Sequence, residues 1–70
     1  MVTIDQLIEF LQRRTAECRL RGDHEGLRRV QLGAGLLMDA ANYANDHATA
    51  ERLKILAAKA ANHREALEAE

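Results

Sequence analysis

The chain of 70 residues has no proline, no serine and no tryptophan, and it contains one cysteine and two aromatic residues. Without serine the commonest hydroxyl nucleophile is missing, and Cys18, as the only cysteine, excludes an intrachain disulfide. Without proline, no helix has to be interrupted from within. A core of this size is marginal unless a disulfide, a metal or a second chain adds to it. These absences favour a helical fold that associates with a partner or with itself.

Charge and hydropathy exclude further classes of protein. The formal net charge is −1, which gives the whole molecule no attraction to nucleic acid or to an anionic membrane. The longest apolar run, residues 32–38, is far shorter than the roughly 20 residues that cross a bilayer. The first five residues show no basic and apolar signal segment, and a lone cysteine is typical of a reducing compartment. We expect a soluble, cytoplasmic protein without membrane contact.

Thirteen alanines and ten leucines favour helix along nearly the whole chain. We predict an all-α fold in one domain, residues 1–70, with helices at about residues 4–21, 24–45 and 48–68. A capping box joins Thr3 to Gln6 at the first helix start, and Gly22 is suited to end that helix in the left-handed conformation. The predicted caps of the later helices are Asp23 for the second, and Asp46 or Thr49 for the third.

Each predicted helix carries one apolar face at helical spacing. The faces consist of Ile4, Leu7, Ile8, Leu11, Thr15 and Cys18 in the first helix, Leu27, Val30, Ala34, Leu37, Ala41 and Ala44 in the second, and Leu53, Leu56, Ala57, Ala60 and Leu67 in the third. Short connections make successive helices antiparallel neighbours. We therefore predict a small antiparallel three-helix bundle. The alternative is a long helical hairpin whose third helix docks on a partner.

Two glycines around Ala34 raise the question of a phosphate-binding loop. A dinucleotide fingerprint needs a preceding strand and a third glycine, whereas Met38 occupies that position within a helical pattern. Gly26, Gly33 and Ala40 instead recur every seven residues. An interior glycine costs about 1 kcal/mol relative to alanine. Close packing against another helix is the compensation that we expect.

The chain offers few residues for catalysis or for metal binding. Cys18 has the spacing of a core residue, where a thiol is usually inert. The three histidines, His24, His47 and His63, do not combine with cysteine or carboxylates at zinc-ligand or dinuclear-site spacing. We therefore predict that the protein is not an enzyme, and that it has no catalytic residue, no cofactor and no metal site.

The second helix is apolar on two sides. At about 100° per residue, Leu32, Leu36 and Tyr43 fall opposite Ala34 and should be exposed. Single surface leucines are ordinary, but three along one helix indicate a docking strip for another helix. Leu20 and Ile55 are turned away from the apolar faces of their own helices. The predicted partner-binding residues are Leu32, Leu36, Tyr43, Leu20, Ile55, Arg28 and Arg29.

These residues predict a small interaction module, adaptor-like, co-chaperone-like or inhibitor-like, that binds a helical partner. One alternative is a self-associating homodimer that uses the same strip. Another is a nucleic-acid-binding module that uses the arginines at positions 13, 14, 19, 21, 28 and 29, which form the cluster of residues 13–29. Few aromatic residues accompany these arginines, and Glu17 and Glu25 are available to pair with them. The sequence therefore argues against nucleic acid as the partner.

Two short stretches resemble known helical families. Residues 21–27, followed by Ala34, resemble the Gly-Asp turn and small residues of a tetratricopeptide hairpin, although Leu11, Thr15 and Cys18 stand where that repeat has aromatic residues and glycine. Residues 16–19, with the turn at Gly22 and the helix after it, resemble the small co-chaperones of type III secretion needle subunits over residues 4–45. That resemblance implies a cytoplasmic protein that pairs with a tetratricopeptide-like partner. The predicted third helix is a departure from the hairpin form.

Overall fold

A computed structural model describes residues 1–69 and contains three α-helices. They are α1 (Ile4–Arg21), α2 (His24–Tyr43) and α3 (His47–Glu68). The Cα atoms extend over 39 × 22 × 14 Å, and the longest dimension is close to the roughly 33 Å of a helix as long as α3. The helices therefore lie side by side. The predicted all-α three-helix bundle is confirmed.

Side-chain caps begin the first two helices. The Thr3 hydroxyl accepts a hydrogen bond from the Gln6 amide at 3.1 Å, and the Thr3 amide donates to Gln6 Oε1 at 2.9 Å. This is the predicted capping box, which satisfies two amides that the helix leaves unpaired. At the start of α2, Asp23 Oδ1 accepts from the Gly26 amide at 2.8 Å. Local sequence signals thus fix both helix starts.

Both connections end a helix with one residue in the left-handed conformation. Gly22 has φ 66° and Asn45 has φ 61°. After Asn45 the Asp46 amide donates to the Ala41 carbonyl at 2.8 Å, which is the long hydrogen bond of a Schellman motif. Asparagine adopts this conformation more readily than most residues. For that reason α2 ends at Tyr43, two residues before the predicted end.

The core lies where α2 meets α3, which share the largest of the three helix interfaces. Its central cluster contains Ile8, Ala34, Leu53 and Leu56. One groove is bordered by the start of α1, the end of α2 and the start of α3, so α2 runs antiparallel to both other helices. Among residues 1–69, those with no exposed surface are Leu27, Ala34 and Ala60.

The predicted core face of α1 is only partly buried. Ile8, Thr15 and Cys18 are buried, but Ile4 and Leu7 remain 48% and 38% exposed. Helix α1 makes smaller interfaces with its neighbours than α2 and α3 make with each other. The end of α2 opposite the first turns of α1 presents alanines, which are too short to cover longer side chains. The expectation that the apolar faces of α1 and α2 pack in the core is therefore wrong for Ile4, Leu7 and Ala44, which are all exposed.

The expected close packing at glycine holds at one position and fails at two. A Cβ atom on Gly26 would collide with Cys18 Sγ and with the Asp23 carboxylate. A Cβ atom on Gly33 or Gly35 would meet nothing within 4 Å. Within this chain, close packing explains Gly26 and does not explain the other two glycines.

Asp46 begins α3, and its carboxylate supplies a pH-dependent part of the stability. Asp46 Oδ2 accepts from the Thr49 hydroxyl at 2.6 Å and Oδ1 accepts from the Thr49 amide at 3.2 Å. The hydroxyl first, and then the amide, lowers the pKa of Asp46 below its ordinary value of 3.8. A carboxyl group whose pKa is lower in the folded state stabilises the fold above its unfolded pKa. This contribution is lost as the pH falls through the folded pKa.

We expect Asp46→Asn to remove that pH dependence while it keeps an N-cap side chain. Urea unfolding of the wild type and the variant between neutral pH and about pH 2 measures the difference. The gap in unfolding free energy should be largest at neutral pH and shrink as the pH falls below about 4. Thr49→Ala removes the hydroxyl donor, brings the folded-state pKa of Asp46 closer to its ordinary value and should make the loss of stability in acid smaller. A difference in unfolding free energy that stays constant over the whole pH range would contradict the pH-dependent role of the Asp46 carboxylate.

Candidate functional site

The outer face of α2 carries three exposed apolar side chains, Leu32, Leu36 and Tyr43, which we call the outer strip. They are 57%, 72% and 92% exposed, whereas Ala34 on the opposite side of the helix is 0% exposed. Helical periodicity predicts this two-sided arrangement, because residues near Ala34 face the core and residues half a turn away face solvent. The strip is a row of side chains on a regular helix, and its geometry is set by the backbone.

Charged residues border the outer strip with a definite polarity. Arg28 and Glu25, near the start of α2, form a loose pair at 3.5 Å. Arg29 follows directly, and Asp39 lies toward the other end of the strip. Within residues 1–69, neither Arg29 nor Asp39 takes part in an ion pair. Arg29 therefore precedes the two leucines of the strip as a cation without an ion pair in residues 1–69, and Asp39 follows them as a carboxylate without one.

Leu20 and Ile55 are exposed as predicted, at 88% and 60%, but they do not extend the outer strip. Leu20 lies in the last turn of α1, where it borders a shallow depression shared with the C-terminal part of α3. On α3 the buried Leu53 and Leu56 lie on the side that packs against the bundle, and Ile55 points away from it. The predicted set is therefore divided among the faces of three helices.

A second apolar feature, which we call the end groove, lies between the start of α1, the end of α2 and the start of α3. It encloses about 220 Å³, and its lining residues are Ile4, Leu7, Ile8, Leu37, Ala40, Ala41, Ala44, Asp46, Thr49 and Leu53. Sequence reasoning missed it by counting Ile4 and Leu7 as core. The available signal was the run of alanines near the end of α2, which leaves the larger α1 side chains uncovered.

Half of the arginines in the cluster of residues 13–29 pair with neighbouring acids. Three of its members are paired on the surface: Arg13 with Glu9 at 2.8 Å, Arg14 with Glu17 at 3.8 Å and Arg28 with Glu25 at 3.5 Å. Arg14 also lies over the Phe10 ring, 5.2 Å from its centre. Glu17 and Glu25 are the two acids that the sequence offered as partners for these arginines. Their arrangement is that of a solvated, mixed-charge surface.

The only thiol is placed where it is poorly reactive. Cys18 is 4% exposed and its Sγ lies 3.8 Å from Asp23 Oδ2. Burial first, and then the negative charge of Asp23, raises the pKa of the Cys18 thiol above its ordinary value. A raised pKa keeps the thiol protonated, and the thiolate is the nucleophilic form. Cys18 therefore serves packing and the turn between α1 and α2.

Residues 1–69 contain neither a metal-ligand cluster nor a helix that could span a membrane. Across residues 1–69, no group of three or more histidine, cysteine, aspartate or glutamate side chains is arranged to hold a metal ion. His47 Nδ1 lies 3.1 Å from Asn42 Oδ1, so that ring is engaged with an amide. None of the three described helices has the length and apolarity that crossing a membrane requires.

Comparison with known proteins adds no relative to this picture. No family model, curated protein or solved structure matches the chain. The resemblance to tetratricopeptide hairpins and to needle-subunit co-chaperones therefore stays a prediction. The candidate site rests on the geometry and charges of this chain alone.

Proposed function

We propose that this protein is a non-enzymatic interaction module that binds a helix through the outer strip of α2. The observation that carries the proposal is the exposure of Leu32, Leu36 and Tyr43, at 57–92%, along one face of a regular helix. An adaptor-like or co-chaperone-like role in the cytoplasm is the form that the family resemblance favours.

The energetic reason is the hydrophobic effect. Burying a large apolar side chain fully contributes about 1.5–3 kcal/mol, so covering the outer strip is worth several kcal/mol before the costs of association. Tyr43 adds a hydroxyl at the edge, where a polar partner group can accept its hydrogen bond. Tyrosine and arginine are also the residue types that most often dominate protein interfaces.

The shape of the surface favours a helix as the bound element. Leu32 and Leu36 are one turn apart and Tyr43 lies two turns further on, so their side chains form a straight ridge along α2. A second helix offers a groove of the same pitch between its own rows of side chains. Helix-on-helix docking of this kind is a common mode of recognition.

The test is Leu36→Asp, with Ile55→Asp as the matched control on α3. Leu36 is 72% exposed and Ile55 is 60% exposed, so both variants should keep the far-UV circular dichroism of the wild type. Each tagged protein is purified from its source cells together with any protein bound to it. Each purified protein is also sedimented alone over a concentration series, which measures self-association. We expect Leu36→Asp to lose both the bound partner and the self-association of the wild type, and Ile55→Asp to retain them.

Three results would contradict this function. If Leu36→Asp unfolds the isolated chain, the outer strip is part of the core. If Leu36→Asp binds and self-associates as the wild type does, the strip is an ordinary surface. Loss of binding with Ile55→Asp alone would assign the interface to α3.

A further inference from the structure

We propose, building on the function above, that the helix bound by the outer strip is α2 of a second copy of this chain, packed antiparallel. The two-fold axis lies level with Ala34, on the side of α2 opposite that residue. Ala34 has no exposed surface, so the side of α2 directly opposite Ala34 is the centre of the outer face. The proposal specifies the partner, the orientation and the register.

The register follows from helix geometry. Each residue turns the helix by about 100°, so residues at equal separations before and after Ala34 lie at mirror-image angles about the outer face. A two-fold axis through that face brings each residue to the level of its mirror position on the second copy, since an isologous interface pairs a surface with itself. Near the centre of the face, where the two positions also meet, the resulting pairs are Leu32 with Leu36, Arg29 with Asp39, and Glu25 with Tyr43, and each pair occurs twice.

Charge complementarity selects this arrangement. Within the described chain Arg29 and Asp39 form no ion pair, and antiparallel packing supplies each with the other. A parallel dimer in register would set Arg29 beside Arg29 and Asp39 beside Asp39. Complementary charges at an interface fix orientation and exclude wrong pairings more than they add affinity. The unpaired charges of the outer face therefore match the antiparallel second copy and oppose the parallel one.

The polar pair at the two ends of the interface is also complementary. The Glu25 side chain is 69% exposed, and its contact with Arg28 is long, at 3.5 Å. The Tyr43 hydroxyl, on a side chain that is almost fully exposed, can donate to that carboxylate across the dimer. A hydrogen bond to a charged acceptor is stronger than one between neutral groups.

Charge reversal tests the partner and the orientation together. Arg29→Asp and Asp39→Arg each replace two attractive pairs by two repulsive ones. We expect each variant to raise the dimer dissociation constant about 10- to 100-fold, as measured by sedimentation equilibrium. The double variant restores both pairs and should dimerise nearly as the wild type does. An equimolar mixture of the two single variants should form a heterodimer, because both cross pairs are then complementary.

Lys54→Asp is the matched control, because it makes the same change of charge on α3, outside the outer strip. Lys54 is exposed and takes no part in the proposed pairs, so we expect less than a roughly threefold change in the dissociation constant. All the substituted residues are exposed, and circular dichroism verifies that each variant remains helical.

The inference and the function on which it rests fail in different ways. A wild type that stays monomeric at high micromolar concentration, with a captured partner that is still lost in Leu36→Asp, overturns self-pairing and leaves the interaction module in place. A dimer in which the double variant is as weak as the single variants overturns the antiparallel register. A face on one helix of 20 residues is small beside the roughly 1,200–2,000 Å² of a typical stable complex. We therefore expect a dimer that dissociates on dilution.

Discussion

Leu27→Ala is expected to lower the free energy of unfolding by about 2–5 kcal/mol. Leu27 is the one large side chain with no exposed surface among the described residues, and the substitution removes its buried methyl groups and leaves a cavity. A chain of this length has a stability of only roughly 4–10 kcal/mol. The variant should therefore unfold at much lower urea concentration than the wild type, as circular dichroism measures.

Leu32→Ala is the control for that experiment. It is the same substitution on the same helix, but Leu32 is 57% exposed. We expect its free energy of unfolding to stay within about 0.5 kcal/mol of the wild type, provided that both are measured at a concentration where the chain is monomeric. Equal losses in Leu27→Ala and Leu32→Ala would mean that α2 is rotated relative to the described structure.

Gly26→Ala is expected to destabilise the protein by about 1–3 kcal/mol, although alanine is the better helix former. The added methyl group would collide with Cys18 Sγ and with the Asp23 carboxylate that caps α2. To accommodate it, the turn between α1 and α2 must open or the cap must be lost. Thermal unfolding should show a melting temperature several degrees below that of the wild type.

Gly33→Ala, seven residues along the same helix, should have the opposite sign. A Cβ atom there would meet nothing within 4 Å, so only the helical preference of alanine remains, at about 0.5–1 kcal/mol. The contrast between two identical substitutions separates local contact from intrinsic propensity. If both variants are stabilised, the contact of Gly26 with Cys18 and Asp23 is not part of the native structure.

The two stability experiments also bear on the proposed site. Leu27 and Leu32 are five residues apart and lie on opposite sides of α2, so their variants distinguish the core side from the binding side. A variant that keeps monomer stability but loses association, as Leu32→Ala should, separates the interface from the fold. Association stabilises the native state by mass action. Melting temperatures of the wild type should therefore rise with protein concentration if the outer strip pairs copies of the chain.

Helix starts were predictable because capping is local. Thr3 bonds to Gln6 and Asp23 to Gly26, in each case across three residues. The end of α2 was placed two residues too late, since the sequence did not reveal that Asn45 would take the left-handed conformation. Asparagine is compatible with that conformation but is not confined to it.

The candidate site was predictable in part. The exposure of Leu32, Leu36 and Tyr43 follows from the angle that each makes with Ala34 around α2, which the sequence order specifies. The end groove was missed because the exposure of Ile4 and Leu7 depends on what lies opposite them. Periodicity identifies an apolar face, but it carries no information on how much of that face a neighbouring helix covers.

The sequence by itself determined the elements: three helices, their caps, and an α2 with one side for the core and another for solvent. Those features depend on interactions within about four residues and on the fixed turn of the helix. The tertiary structure decided how fully each face is covered. It left the first turns of α1 open over the alanines of α2, and it closed Gly26 against Cys18 while Gly33 stayed free. The reason is that coverage depends on side-chain size on a different helix, and that pairing exists only once the bundle has formed.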